Sequence, residues 1–129
     1  MILIKNAQVF APKALGKKDV LLAYDKILEI ADCIEPWRDD LTVIDAAGKM
    51  LVPGFIDQHV HIVGGGGEGG FETRTPEFQL SKAVTSGVTT LVGLLGTDGY
   101  TKSPELLLAK TKALNNEGIT AYCLTNSYA

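Results

Sequence analysis

The stretch VTTLVGLLG, residues 88–96, decides the fold class. It is almost wholly apolar and lacks the alternation of a strand with one face in water. Such a run is the pattern of a strand covered on both faces, as in parallel sheets packed by helices. Its flanks agree. Upstream, Thr75–Pro76 offers an N-cap and a proline for a first helical turn, Leu80, Ala83 and Val84 recur at helical spacing, and Gly87 is the residue type that ends a helix. Downstream, Ser103–Pro104 repeats the device, PELLLAKTKALNNEG (residues 104–118) runs to Gly118, and ITAYCLTNSY (119–128) reads as a further strand. FIDQHVHIV (55–63) is the strand candidate that precedes them all. Strand, helix, strand, helix, strand predicts right-handed parallel crossovers.

Before residue 54 the rhythm is different. MILIKNAQVF (1–10) is one strand region, DVLLAYDKILEIAD (19–32) reads as two strands meeting near Tyr24–Asp25, and LTVIDAAGKMLVPG (41–54) adds two pieces broken at Ala47–Gly48. So many short strands predict part of a small antiparallel sheet or sandwich. A closed barrel of eight strand–helix units takes roughly 250 residues. The sequence after Gly54 holds three strands and two helices, so the expectation is the N-terminal portion of a longer α/β protein. Residues 1–53 would be part of a β-sandwich domain, and 54–129 the first strands of a (β/α)8 TIM-like barrel.

Composition narrows the function. The chain has 129 residues, 46% hydrophobic and 21% charged, with a net charge of -3. That balance gives no basic footprint for nucleic acid and no attraction to an anionic membrane. The two cysteines, Cys33 and Cys123, form no CxxC pair, so a reducing, cytoplasmic setting is expected.

Both histidines of the chain fall in one strand candidate, as HxH. On a regular strand residues two apart share a face, so Asp57, His59 and His61 would form one row. Two imidazoles at the carboxyl end of a parallel strand point to a divalent metal, zinc above all. Asp57, deeper in the row, would orient a histidine through its distal N–H. The following GGGEGG (65–70) formally fits GxGxxG, but the helix start does not follow it directly and no Gly-Lys-Ser/Thr is present, so a nucleotide site is disfavoured. A run of bare backbone instead lets N–H and C=O groups approach a small polar ligand. Glu68 in that run suits a ligand bearing an ammonium group, and Thr97 follows the second strand on the same rim.

VPGFIDQHVHIVGGGGEGG, with TRTPE, GVTTLVGLLGTD and LLAKTKALNNEGITAYCLTNSY after it, resembles the amidohydrolase superfamily and, within it, the isoaspartyl (beta-aspartyl) dipeptidase family. PGFIDQHVH identifies only the superfamily, whereas GGGGE with TRTPE and VGLLGTD is more specific. The resemblance implies a metal-centred barrel, a small β-sandwich domain and hydrolysis of β-aspartyl dipeptides by a metal-activated hydroxide. His59 and His61 would be ligands of one of two zinc ions. Gly66, Glu68 and Thr97 would hold the substrate, with Glu68 near its α-amino group, and Tyr128 would polarise the scissile carbonyl. The family is oligomeric, and its bridging lysine, further histidines, catalytic aspartate and arginines fall on later strands, so these 129 residues are expected to be inactive by themselves. A cyclic-amide hydrolase of the dihydroorotase or hydantoinase type is the alternative. Dihydroorotases usually carry an arginine two residues past the second histidine, where Val63 stands here. A non-catalytic scaffold is the reading from outside the enzymes.

Overall fold

Strand β1 (Ile2–Phe10) is the spine on which the first fifty residues are built. In the computed structural model, which describes residues 1–125, β1 pairs antiparallel with β2 (Ala14–Ala23), and β2 pairs antiparallel with β3 (Lys26–Ala31). The β2–β3 turn bends at Tyr24, whose φ is 52°. On the other side of β1 lie β4 (Thr42–Asp45) and β5 (Met50–Leu51), both parallel to it. The sheet is therefore mixed, not antiparallel as the pattern of short strands predicted. Residues 32–41 return the chain to the starting end of β1, so β4 enters in the same direction, and a tight hairpin could not have done this. Met1–Pro53 make up one compact unit and the residues from Gly54 a second.

A buried charge organises the first unit. Asp19 on β2 is 3% exposed. Its carboxylate accepts hydrogen bonds from the backbone N–H of Asn6 (2.8 Å) and of Ile34 (3.0 Å), and Lys5 Nζ stands 3.6 Å away. Asn6 lies at the irregularity between Ile4 and Ala7, with a φ of 58°, so its N–H is turned out of the ladder and needs this acceptor. Burial works to raise the Asp19 carboxyl, but the Ile34 and Asn6 N–H groups and the Lys5 ammonium outweigh it and hold it below its ordinary value.

In the second unit, β6 (Phe55–Val60), β7 (Val88–Gly93) and β8 (Thr120–Cys123) form a parallel sheet in that order. Helix α1 (Leu80–Thr85) joins the first pair and α2 (Pro104–Asn116) the second. Val60, Ile62, Leu91, Leu107, Leu114 and Ala121 belong to one buried cluster between sheet and helices. Gly93 is part of its fit: a Cβ there would come within 2.5 Å of Ile62 Cδ1. Ser103 caps α2, its hydroxyl accepting from Leu106 N at 3.2 Å, and Gly118, with φ 102°, turns the chain away beyond its end. Asn115 then locks helix to strand, since its side chain donates to Ala121 O (2.8 Å) and accepts from Ala121 N (3.0 Å).

Two expectations need correction here. Helix α1 begins at Leu80, not at Thr75–Pro76, because Thr75 is engaged elsewhere and Phe78 N donates to Ile62 O at 3.0 Å, which keeps 75–79 extended. Strand β7 is covered on one face only within the described chain, with Leu91 buried and Thr90 and Val92 half-buried. Among the described residues no helix is long and apolar enough to cross a membrane.

Replacing Asp19 by Ala strands two backbone donors and a lysine, and should lower the stability of the first unit by about 3 kcal/mol in chemical denaturation. Because its folded carboxyl titrates below the unfolded value of 3.8, its contribution is present at neutral pH and lost as the pH falls through the folded value. The gap between wild type and Asp19→Ala should therefore close on acidification; a gap independent of pH would contradict this account.

Candidate functional site

The two imidazoles lie at the carboxyl end of β6, His59 within the strand and His61 just beyond it. Their ring centroids are 5.4 Å apart at 83°, while Val60 between them is buried in the core. Alternation thus turns both rings to the same side. Asp57 precedes them on the same strand. The ladder with β7 is irregular between Asp57 and Val60, and the Asp57 carboxylate accepts from the main-chain N of His59 at 3.2 Å, not from a ring nitrogen.

His61 is wedged against glycine. A Cβ at Gly65 would stand 3.0 Å from its Cγ, and one at Gly96 would stand 3.3 Å from its Nδ1. That Nδ1 is buried and has no hydrogen-bond partner among the described residues. A buried ring nitrogen left unsatisfied is a feature that structural histidines avoid. Two imidazoles on one side are a fitting part of a metal site, but only a part: among the described residues no group of three His, Cys, Asp or Glu could hold an ion.

The glycine run is a closed, ordered loop. Thr75 clasps its two ends: its hydroxyl accepts from Gly65 N (2.9 Å) and donates to Gly65 O (3.1 Å), and its own N–H donates to Gly65 O at 2.8 Å. Gly64 and Gly66 take φ values of 84° and 77°, and a Cβ at either would come within 2.5 Å of Thr75 O or 2.8 Å of Thr73 O. Both positions therefore demand glycine. Past the turn a short 3-10 segment, Phe71–Thr73, leads the chain back so that Arg74 bridges to Gly66.

Between this loop and the one after β7 opens a cleft of about 320 Å³, lined by Gly66, Glu68, Phe71, Arg74, Thr97 and Tyr100 among others. Thr97 Oγ1 donates to Glu68 Oε1 at 2.7 Å, so three residues expected from sequence, Gly66, Glu68 and Thr97, meet here. The Thr97 hydroxyl chiefly, then the residue's own N–H, hold the Glu68 carboxyl below its ordinary value. It is a carboxylate at any neutral pH, suited to a cationic ligand. Tyr128 lies outside the described residues.

Sequence reasoning missed Arg74 and Asp98. Arg74 forms an ion pair with Asp98, donates to Thr101 Oγ1 at 2.8 Å and places its guanidinium 5.3 Å from the centre of the Phe71 ring. The only signals were a lone arginine closing a glycine loop and an aspartate directly after Thr97. Neither is specific, and Thr75 was misleading because it looks like a helix cap.

With this geometry in place, similarity to known proteins becomes informative. Residues 42–115 match the model of the amidohydrolase family. A beta-aspartyl dipeptidase from the thermophilic keratin degrader Fervidobacterium islandicum AW-1, solved in complex with a beta-Asp-Leu dipeptide, is 50% identical with a TM-score of 0.85, over 98% of this chain and 33% of that one. A D-hydantoinase from a Thermus species is 30% identical with a TM-score of 0.65, over 88% and 24%. Dihydroorotase from Staphylococcus aureus strain MRSA252 is 34% identical over 116 residues, 90% of this chain and 26% of that protein. The chain thus spans about a third of the dipeptidase and about a quarter of the dihydroorotase.

The loop geometry makes its own prediction. Gly64→Ala places a side chain against Thr75 O in a left-handed conformation, at a cost of about 1–3 kcal/mol, and should strip the Gly65 amide of protection from hydrogen exchange. Gly69→Ala, which makes no left-handed demand, should leave that protection unchanged. Equal exchange in all three proteins would refute the clasp.

Proposed function

Because the chain belongs to the amidohydrolase family, we propose that it carries the histidine pair and the ammonium-binding loop of a zinc-dependent isoaspartyl dipeptidase. The observation that carries this reading is Glu68, an ionised carboxylate fixed by Thr97 in a small cleft lined by the glycine loop that follows the imidazoles. A β-aspartyl dipeptide presents a free α-ammonium close to the scissile amide. Glu68 would take that ammonium, and the backbone of Gly66 would allow it close approach. The resemblance to the Fervidobacterium dipeptidase supports the assignment, since it spans nearly the whole chain at 50% identity.

His59 and His61 would hold the metal, completed by ligands from outside this chain. When bound, zinc would supply Lewis acidity and activate water at neutral pH. The residues described here do the remaining work of orientation: Gly65 and Gly96 fix the His61 ring, and Thr97 fixes Glu68. In this reading Tyr128 would stabilise negative charge on the carbonyl oxygen. A reducing, cytoplasmic setting fits the two free cysteines, and a homo-oligomer is the expected assembly.

Similarity to dihydroorotases keeps cyclic amides as the second reading. Position 63 argues against it. Val63 is fully buried in the helix-packed core, so a substrate-gripping arginine has no counterpart there.

A polypeptide of dipeptidase length that carries these residues should hydrolyse β-Asp-Leu and leave dihydroorotate intact. Glu68→Gln should lower its kcat/KM by about 10- to 100-fold, the worth of one hydrogen-bonded charge. Turnover of dihydroorotate with β-Asp-Leu untouched would refute the assignment. Residues 1–129 alone should turn over neither. Zinc titrated into them should perturb both imidazole NMR spectra together, without saturating at one equivalent, and His59→Ala should abolish the response of His61.

A further inference from the structure

We propose that Arg74 and Asp98 are a positioning pair that brings Glu68 and Thr97 together across the cleft. The inference rests on the reading of Glu68 and Thr97 as the substrate-holding groups. Glu68 and Thr97 are 29 residues apart and sit on two different loops, so their 2.7 Å hydrogen bond requires those loops to be held in register. Nothing in the sheet does this. Strand β7 ends at Gly93, four residues before Thr97, and β6 ends before the glycine run begins.

The Arg74–Asp98 pair spans that gap. Asp98 is the immediate neighbour of Thr97, and each of its oxygens is committed. Oδ1 accepts from Tyr100 N (3.2 Å) and Thr101 N (3.0 Å), while Oδ2 accepts from Arg74 Nη2 and the Thr101 hydroxyl. The carboxylate therefore shapes its own loop and anchors the arginine. On the other side, Arg74 is bridged to Gly66 and follows directly on the segment that closes the glycine loop. Its guanidinium also lies over Phe71, which restricts where it can reach. The side chains are only 31% and 12% exposed, so this pair is screened far less than a surface ion pair. Arg74 Nη2 is committed to Asp98 and Thr101, so through that nitrogen the residue braces the two loops.

The test reads the Glu68 side-chain carboxyl by NMR titration in residues 1–129, against Thr97→Val as the reference for a carboxyl freed of its hydroxyl partner. Arg74→Lys keeps the charge but loses the forked geometry and the stacking, so the Glu68 titration should move upward toward the Thr97→Val value. Asp98→Asn separates bracing from simple electrostatics. Removing a nearby negative charge would by itself lower the Glu68 titration, whereas loss of the brace raises it. An upward move in both variants, with the far-UV circular dichroism spectrum unchanged, is the expected result. A titration in either folded variant that stays at or below wild type would overturn the proposal. Should Asp98→Asn fail to fold, Arg74→Lys decides alone. The substrate reading is tested separately in a polypeptide of dipeptidase length: if β-Asp-Leu is not hydrolysed there, that reading falls and the brace stands.

Discussion

One threonine hydroxyl sets the form of the candidate site. Thr75 accepts from and donates to the same residue, Gly65, ten positions earlier, and its main chain adds a third bond to the same carbonyl. Closing a loop of that length is entropically cheap compared with ordering the glycines inside it, each of which loses more freedom than any other residue. The closure must therefore be strong and local. It fixes the start of the loop beside His61 and its end beside Arg74.

The physical logic is that of rigid elements carrying specialised loops. The sheet and its two helices bury a single apolar cluster, and the polar residues Glu68, Arg74, Thr97 and Asp98 that line the cleft sit on loops beyond the strands. Glycine stands where neighbours crowd: Gly65 and Gly96 against a histidine ring, Gly93 against Ile62. Side-chain bulk is left out wherever a reactive or tightly packed group must enter. The first unit uses a different device, a buried carboxylate that satisfies backbone donors, because its short strands leave a ladder interrupted at Asn6.

The sequence made the second unit legible because its signals are local. Ser103–Pro104 and Gly118 bracket α2 as expected, and β7 and β8 follow the apolar runs. Local signals failed where a residue was claimed by a distant partner. Thr75–Pro76 has every mark of a helix start, yet the hydroxyl that would have capped the helix is spent on Gly65, and α1 waits until Leu80. Strand direction in the first unit was also invisible, being set by the path of residues 32–41. Of the site, the histidines, Glu68 and Thr97 could be read from residue type and position, and Gly66 only from the family resemblance. The ion pair between their loops could not, because nothing in a sequence marks two residues 24 positions apart as partners.

The fit of Ile62 against Gly93 has a bearing on how variation in this chain should be interpreted. Ile62 is the covalent neighbour of His61, and its carbonyl also receives Phe78 N. Bulk added at position 93 would be transmitted along the backbone to the imidazole and to the segment that leads into α1. A methyl group on the helix-facing side of the sheet would thus displace the histidine pair without changing a single polar residue. An allele of that kind would read as a change at the imidazoles, although the fault would be one of volume.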